Sequence, residues 1–324
     1  MKLLLATALV ATSLYAVSPA SAFEPTCDDN TPTIVGTPGD DTVLGTPGDD
    51  VIMSFEGNDD IDAGGGNDLV CAGEGDDTVL GGDGSDRLFA GSGDDVLRSD
   101  DWGAGHHWNR VGGDFLSGGP GSDDLRLDSR NGAAYAGYGH DWMMLIPSAI
   151  DGRAYGEEGN DRIHAEAVPG VVLDAGRGRD HISTWLENHV RGFQWWGAQG
   201  RDELTFQTWG LDVPRGTEIT MANGRLRVDG RRMGSYDGIE EFEPTDSVGL
   251  RWVFRGTPRL DDFEVEGSLA KSLDARTFGA NDVVQGTTGR DRLDLGSGRD
   301  KARAGRGRDV CISAERAMGC EVRR

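Results

Sequence analysis

Residues 36–98 read GTPGDDTVL, GTPGDDVIM, SFEGNDDID, AGGGNDLVC, AGEGDDTVL, GGDGSDRLF and AGSGDDVLR, seven nonapeptides without a gap. The fourth position is always glycine (Gly39, Gly48, Gly57, Gly66, Gly75, Gly84, Gly93), and the sixth is always aspartate (Asp41, Asp50, Asp59, Asp68, Asp77, Asp86, Asp95). The eighth is Val, Ile or Leu: Val43, Ile52, Ile61, Val70, Val79, Leu88 and Leu97. This period predicts an acidic glycine turn followed by a short strand with one inward apolar side chain, and repeats of this size stack into a solenoid. With two nonapeptides per coil, each turn lies over the turn two repeats later at the β-strand spacing.

The spacing suits a hard cation. Ca²⁺ takes about six to eight oxygen ligands. Glycine lets the backbone turn sharply enough to aim carbonyls inward, and the aspartate adds charge. The pattern GGxGxDxUx resembles the repeats-in-toxin (RTX), or haemolysin-type, calcium-binding family. The resemblance implies an all-β fold, a right-handed parallel β-roll or β-solenoid, with several Ca²⁺ ions as cofactors. The candidate ligands are the seven aspartates and seven glycines above. Five stacked pairs of turns predict up to about five ions in this block, each shared between turns.

Beyond Arg98 the phase slips but the motif recurs. Asp114, Asp123, Asp141, Asp161, Asp180 and Asp202 take the sixth position in later repeats, and Asp123, Asp141 and Asp161 join the candidate ligands. Inserts of varied length separate these repeats, so stacking cannot be assumed from sequence. Residues 206–276 lose the motif; alternating residues around Asn223-Gly224 and Asp229-Gly230 predict further strands. Nonapeptides return at 277–312. The expected organisation is a signal peptide (1–22), an amino-terminal cap (23–35), regular repeats (36–98), degenerate repeats with inserts (99–205), an irregular solenoid segment (206–276), carboxyl-terminal repeats (277–312) and a cap (313–324). One continuous solenoid with an irregular middle explains this better than separate domains.

Charge divides the repeats. The chain of 324 residues has a formal net charge of −24 and 36% hydrophobic residues, a composition near that of disordered proteins unless something periodic rescues it. Residues 36–98 hold 16 acids and two arginines, whereas 277–312 hold five aspartates and seven Lys or Arg. The acidity argues against nucleic acid as a partner, which is bound by neutralising phosphate charge. The fifth position is Arg290, Arg299 and Arg308 in the last block, and Arg179 and Arg201 in the middle. These guanidiniums are expected to serve as internal counterions for the aspartate column, so that the last turns need little calcium.

The ends point outside the cell. A lysine, an apolar run over 3–17 and Ala20-Ser21-Ala22 have the form of a cleaved signal peptide, and no later stretch is apolar enough for a membrane span. Four cysteines then imply two disulfides, with three connectivities open. Cys311, at an inward position of the last repeat, is expected to pair with Cys320 across a helical turn running from Ser313 to Gly319. Cys27 and Cys71 would pin the leading segment over the first coils. Many proteins of the resembled family instead use an uncleaved carboxyl-terminal export signal and contain few cysteines.

No catalytic motif is present. HExxH, GxSxG and the P-loop are all missing, and the acid pairs are too common to be specific. The expected function is that of a secreted, non-enzymatic calcium-binding repeat protein whose folding is coupled to the ion. The eight tryptophans raise an alternative, because all lie in the irregular middle. Exposed, they could stack on sugar rings and make this face bind or modify an extracellular polysaccharide or cell-surface matrix. Buried, they fill space where small repeat residues fail, which is the reading preferred from sequence.

Overall fold

In the computed structural model, the residues described are 26–100, 113–146, 149–166, 168–187, 191–208, 217–245, 249–259, 261–265 and 270–323. The expected signal peptide (1–22), Trp102, Trp108 and Trp209 lie outside them. Among the described residues there is no helix, and so none long and apolar enough to cross a membrane. Short strands form about 13 coils of a β-solenoid, with one face a sheet of 19 strands and the other a sheet of 15.

The register follows from the repeat length. Val43 pairs with Ile61, and Ile61 with Val79; on the other face Ile52 pairs with Val70, and Val70 with Leu88. Each coil is thus two nonapeptides, and the pairing is parallel throughout these blocks. The eighth-position residues from Val43 to Leu97 form one buried row per sheet, with Ala63, Ala72 and Ala90 filling the space beside the turns. Fully burying an aliphatic side chain is worth about 1.5–3 kcal/mol, so a narrow core works because every coil repeats it.

The irregular segment belongs to the same solenoid. The strand Glu203–Gln207 pairs in parallel with Glu241–Thr245, which bridges the loss of motif. Between them, Glu218–Ala222, Arg225–Val228 and Arg231–Asp237 form antiparallel hairpins. Asn223-Gly224 and Asp229-Gly230 supply their turns with positive φ values of 50°, 65°, 45° and 74°, the pattern of tight type I′ connections. Here the core widens to hold Trp195, Trp252, Phe193, Phe206, Phe254 and Phe263, all fully buried.

Both ends are stapled. Cys27 bonds to Cys71 and Cys311 to Cys320. The helical turn expected before Cys320 does not form. Ser313 and Gly319 take positive φ values of 57° and 80°, and Arg316–Met318 instead adds a last strand to Lys301–Arg303. A strand satisfies the backbone groups of the final coil, which an isolated turn of helix would leave open.

Candidate metal centre

The aspartates stand in two columns, one along each edge where a turn enters a sheet. In the first, the N–H of each Asp donates to Oδ1 of the Asp one coil later: Asp41 to Asp59, Asp59 to Asp77 and Asp77 to Asp95, each at 2.8 Å. The column continues through the inserts, from Asp95 to Asp123, Asp141, Asp161, Asp180 and Asp202 at 2.8–3.0 Å. The N–H of Asp202 donates to Glu240 Oε2 at 3.1 Å. The column resumes as Asp261, Asp282 and Asp300. The second column holds Asp50, Asp68, Asp86 and Asp114. It then stops: the Asp114 N–H meets Ser129 Oγ, and in register above lie Gly132, Gly152 and Val171. It returns only at Asp291 and Asp309.

One carboxylate oxygen per rung is therefore used. The other, Oδ2, is buried without a hydrogen-bond donor at Asp59, Asp68, Asp77, Asp95, Asp123, Asp141, Asp161, Asp180, Asp202, Asp300 and Asp309. A buried carboxylate oxygen with no donor is costly, by about 1–3 kcal/mol or more when charged. Burial accordingly pushes the pKa of Asp77, Asp123, Asp161 and Asp202 up to about 7, and that of Asp95 and Asp180 to about 6, while the backbone N–H on Oδ1 pulls the other way.

The turns supply further oxygen. Gly75 has φ +129°, and a Cβ there would overlap the carbonyl of Gly57 one coil below; Gly73, at φ +130°, stands in the same relation to the Phe55 carbonyl. Carbonyl oxygens thus point along the stack, and only glycine lets the next coil come so close. No group of three or more His, Cys, Asp or Glu side chains converges among the described residues. An ion held here would draw on one or two carboxylates and otherwise on main-chain carbonyls, an all-oxygen set that fits Ca²⁺.

The family model of the RTX calcium-binding nonapeptide repeat matches four times, at residues 35–70, 72–101, 151–167 and 277–311. The chain carries RTX calcium-binding repeats. RTX repeats bind calcium ions, so Ca²⁺ is the cofactor that suits the unpaired carboxylate oxygens. No curated protein matches the chain. The RTX matches do not include Asp123, Asp141, Asp180 or Asp202, yet these four share the first column with residues that are matched.

Several sequence expectations change. The turn at 256–264, GTPRLDDFE, escapes the motif because Arg259 replaces the glycine of the fourth position, but Asp261 and Phe263 take the sixth and eighth places and are fully buried. Asp41 and Asp50 are not like the other candidates, because threonine donors occupy their Oδ2 atoms. Where the fifth-position arginines have an ion-pair partner, it is an acid beside the columns and not a column aspartate: Arg179 and Arg201 pair with Glu241, Arg201 also with Asp262, and Arg308 with Glu321 at 3.4 Å. All five arginines are exposed, whereas the Oδ2 atoms of Asp180, Asp202, Asp300 and Asp309 are buried without a donor. Trp195 and Trp252 are core residues, 1% exposed each, whereas Trp142 and Trp196 are 38% and 40% exposed. The outward rings Tyr135 and Tyr155 stack on each other, 4.6 Å apart, which leaves those faces covered against a sugar.

Proposed function

We propose that this RTX repeat protein is a secreted, non-enzymatic rod whose folding is coupled to calcium. The observation that carries this reading is the row of buried Oδ2 atoms without donors. Bound calcium supplies a divalent charge that takes carboxylate and carbonyl oxygens together. The ligands proposed are Asp59, Asp68, Asp77 and Asp95, with Asp123, Asp141, Asp161, Asp180 and Asp202 along the first column, and Asp300 and Asp309 near the carboxyl end, each with glycine-turn carbonyls of the stacked coils.

Without the ion, the amino-terminal block places its rungs one strand spacing apart in two like-charged columns, so repulsion and desolvation oppose the roll. Binding free energy then becomes folding free energy. Extracellular calcium modules work at roughly 10⁻⁴ to 10⁻³ M, which leaves such sites empty in cytosol and filled outside. The two disulfides support the same compartment, since they persist in oxidising surroundings. Far-ultraviolet circular dichroism tests the reading. The full chain should gain β signal on adding millimolar calcium and lose it in excess chelator; identical spectra in both would refute the coupling.

A further inference from the structure

The columns contain four uninterrupted runs of aspartate, and each run begins on a turn unlike those that follow. The starting rungs are Asp41 and Asp50 at the amino end, Asp261 after Glu240, and Asp291 above Leu273, whose N–H donates to Asp291 Oδ1 at 2.7 Å. All four turns have threonine at the second position: Thr37, Thr46, Thr257 and Thr287. In each, the threonine N–H donates to its own aspartate Oδ2, at 2.6, 2.7, 2.7 and 2.7 Å. The hydroxyl adds a second bond to the same carboxylate, at 3.0, 2.9, 3.2 and 2.8 Å.

In the turns that follow, the second position is turned over. Phe55, Gly64, Gly73, Gly91, Gly119, Gly137, Glu157, Gly176, Ala198, Gly296 and Gly305 have positive φ. Their turns are those of Asp59, Asp68, Asp77, Asp95, Asp123, Asp141, Asp161, Asp180, Asp202, Asp300 and Asp309, the carboxylates whose Oδ2 has no donor. Asp282, whose turn has Phe278 at this position, also lacks a donor at Oδ2. Threonine is therefore what separates a satisfied turn from an unsatisfied one.

The placement has a physical reason. An ion lodged between two stacked turns takes oxygens from both, and the first rung of a run has no aspartate turn beneath it. We propose that Thr37, Thr46, Thr257 and Thr287 cap the four ladders: each closes the first turn with its own N–H and hydroxyl, needs no ion there, and sets the boundary at which calcium binding begins. The logic is that of a Ser or Thr helix cap, where a side chain stands in for a neighbour the repeating structure lacks. The inference rests on the calcium reading above and adds which turns are exempt from it.

The test measures the melting temperature and the calcium count of the full chain in saturating calcium. Thr46→Gly and Thr287→Gly remove the hydroxyl donor and allow the left-handed turn that takes the N–H off Oδ2, with no aspartate turn beneath to complete an ion site. Each should keep the wild-type count and melt several degrees lower, whereas Thr46→Ser and Thr287→Ser retain both donors and should match wild type. Glycine variants that melt like wild type would overturn the cap. Hydrogen exchange of the calcium-loaded wild-type chain gives a second reading that needs no variant. The Thr257 and Thr287 amides should exchange several-fold more slowly than the second-position amides of Gly296 and Gly305, and equal rates would overturn the proposal. A wild-type chain that binds no calcium would refute the function itself, whereas calcium on wild type with unchanged variants would refute the caps alone.

Discussion

In the absence of calcium, lowering the pH from 7.5 to 5 should stabilise the roll, the reverse of ordinary acid unfolding. The raised carboxylates decide the sign. Asp77 and Asp202 have folded pKa values of about 7, against 3.8 for an ordinary aspartate, because burial disfavours their charged forms. Between those two values the native state holds protons that the unfolded chain has released, so stability is full below the lower value and is lost as pH rises through the higher one. From pH 7.5 to 5 each such group spans about two pKa units of difference, or about 2.7 kcal/mol. Asp77 and Asp202 stand six rungs apart along the first column, so their contributions are independent. Together they give about 5 kcal/mol, as much as the whole stability of many domains. His164, whose pKa burial lowers, opposes this by a single group. The assay is thermal unfolding by circular dichroism in buffers stripped of calcium. A metal-free protein that is no more stable at pH 5 than at pH 7.5 would refute the idea that these Oδ2 atoms are buried and unsatisfied. Saturating calcium should abolish the acid gain, because protons then compete with the ion for the same oxygens.

Other outcomes follow from the same geometry. Gly73→Ala places a Cβ on the Phe55 carbonyl at φ +130° and should lower stability in calcium by about 2 kcal/mol or more, whereas Gly230→Ala, with nothing within 4 Å, should lose only the left-handed strain of about 1–2 kcal/mol; denaturant titration of both variants checks the difference. Replacing Cys27 and Cys71 by serine opens a loop with a sequence separation of 44, and replacing Cys311 and Cys320 opens one of 9; chain entropy alone gives losses of about 4 and 2.6 kcal/mol, so the first pair should lower the melting temperature more. Trp195→Ala empties a buried site and should destabilise by about 3–5 kcal/mol, leaving retention on immobilised polysaccharides the same as wild type.

The fold was legible where a repeat fixes its own register. From Gly36 to Arg98 every ninth residue repeats a role, so strand pairing, the buried row from Val43 to Leu97 and the stacking of turns all follow from counting. The continuous first column was not legible, because the inserts change the step from Asp141 to Asp161, Asp180 and Asp202, and only strand pairing shows that these turns still stack. Glu240 holds a rung in SYDGIEEFE (235–243), which keeps the fourth-position glycine, Gly238, and the apolar eighth, Phe242, but has glutamate in place of the sixth-position aspartate, and Asp261 lies in a repeat that has lost its fourth-position glycine. The second column is interrupted because Gly132, Gly152 and Val171 occupy its register, a fact that needs the two edges to be told apart. The surroundings of the arginines were not legible for a related reason: their sequence neighbours are the aspartates, but the arginines are exposed and those aspartates buried. The threonines carried a signal that could have been read, since Gly-Thr opens each of the four turns that begin a run.

If the first column is a line of calcium ligands, it runs beyond the regular repeats and through the irregular middle, and anomalous diffraction from crystals of the calcium-loaded protein would locate each ion. A row of peaks should lie beside Oδ2 of Asp59, Asp77, Asp95, Asp123, Asp141, Asp161, Asp180 and Asp202, with none bound to Oδ2 of Asp41, which Thr37 occupies. Peaks confined to residues 36–98, or none beside these carboxylates, would contradict that reading.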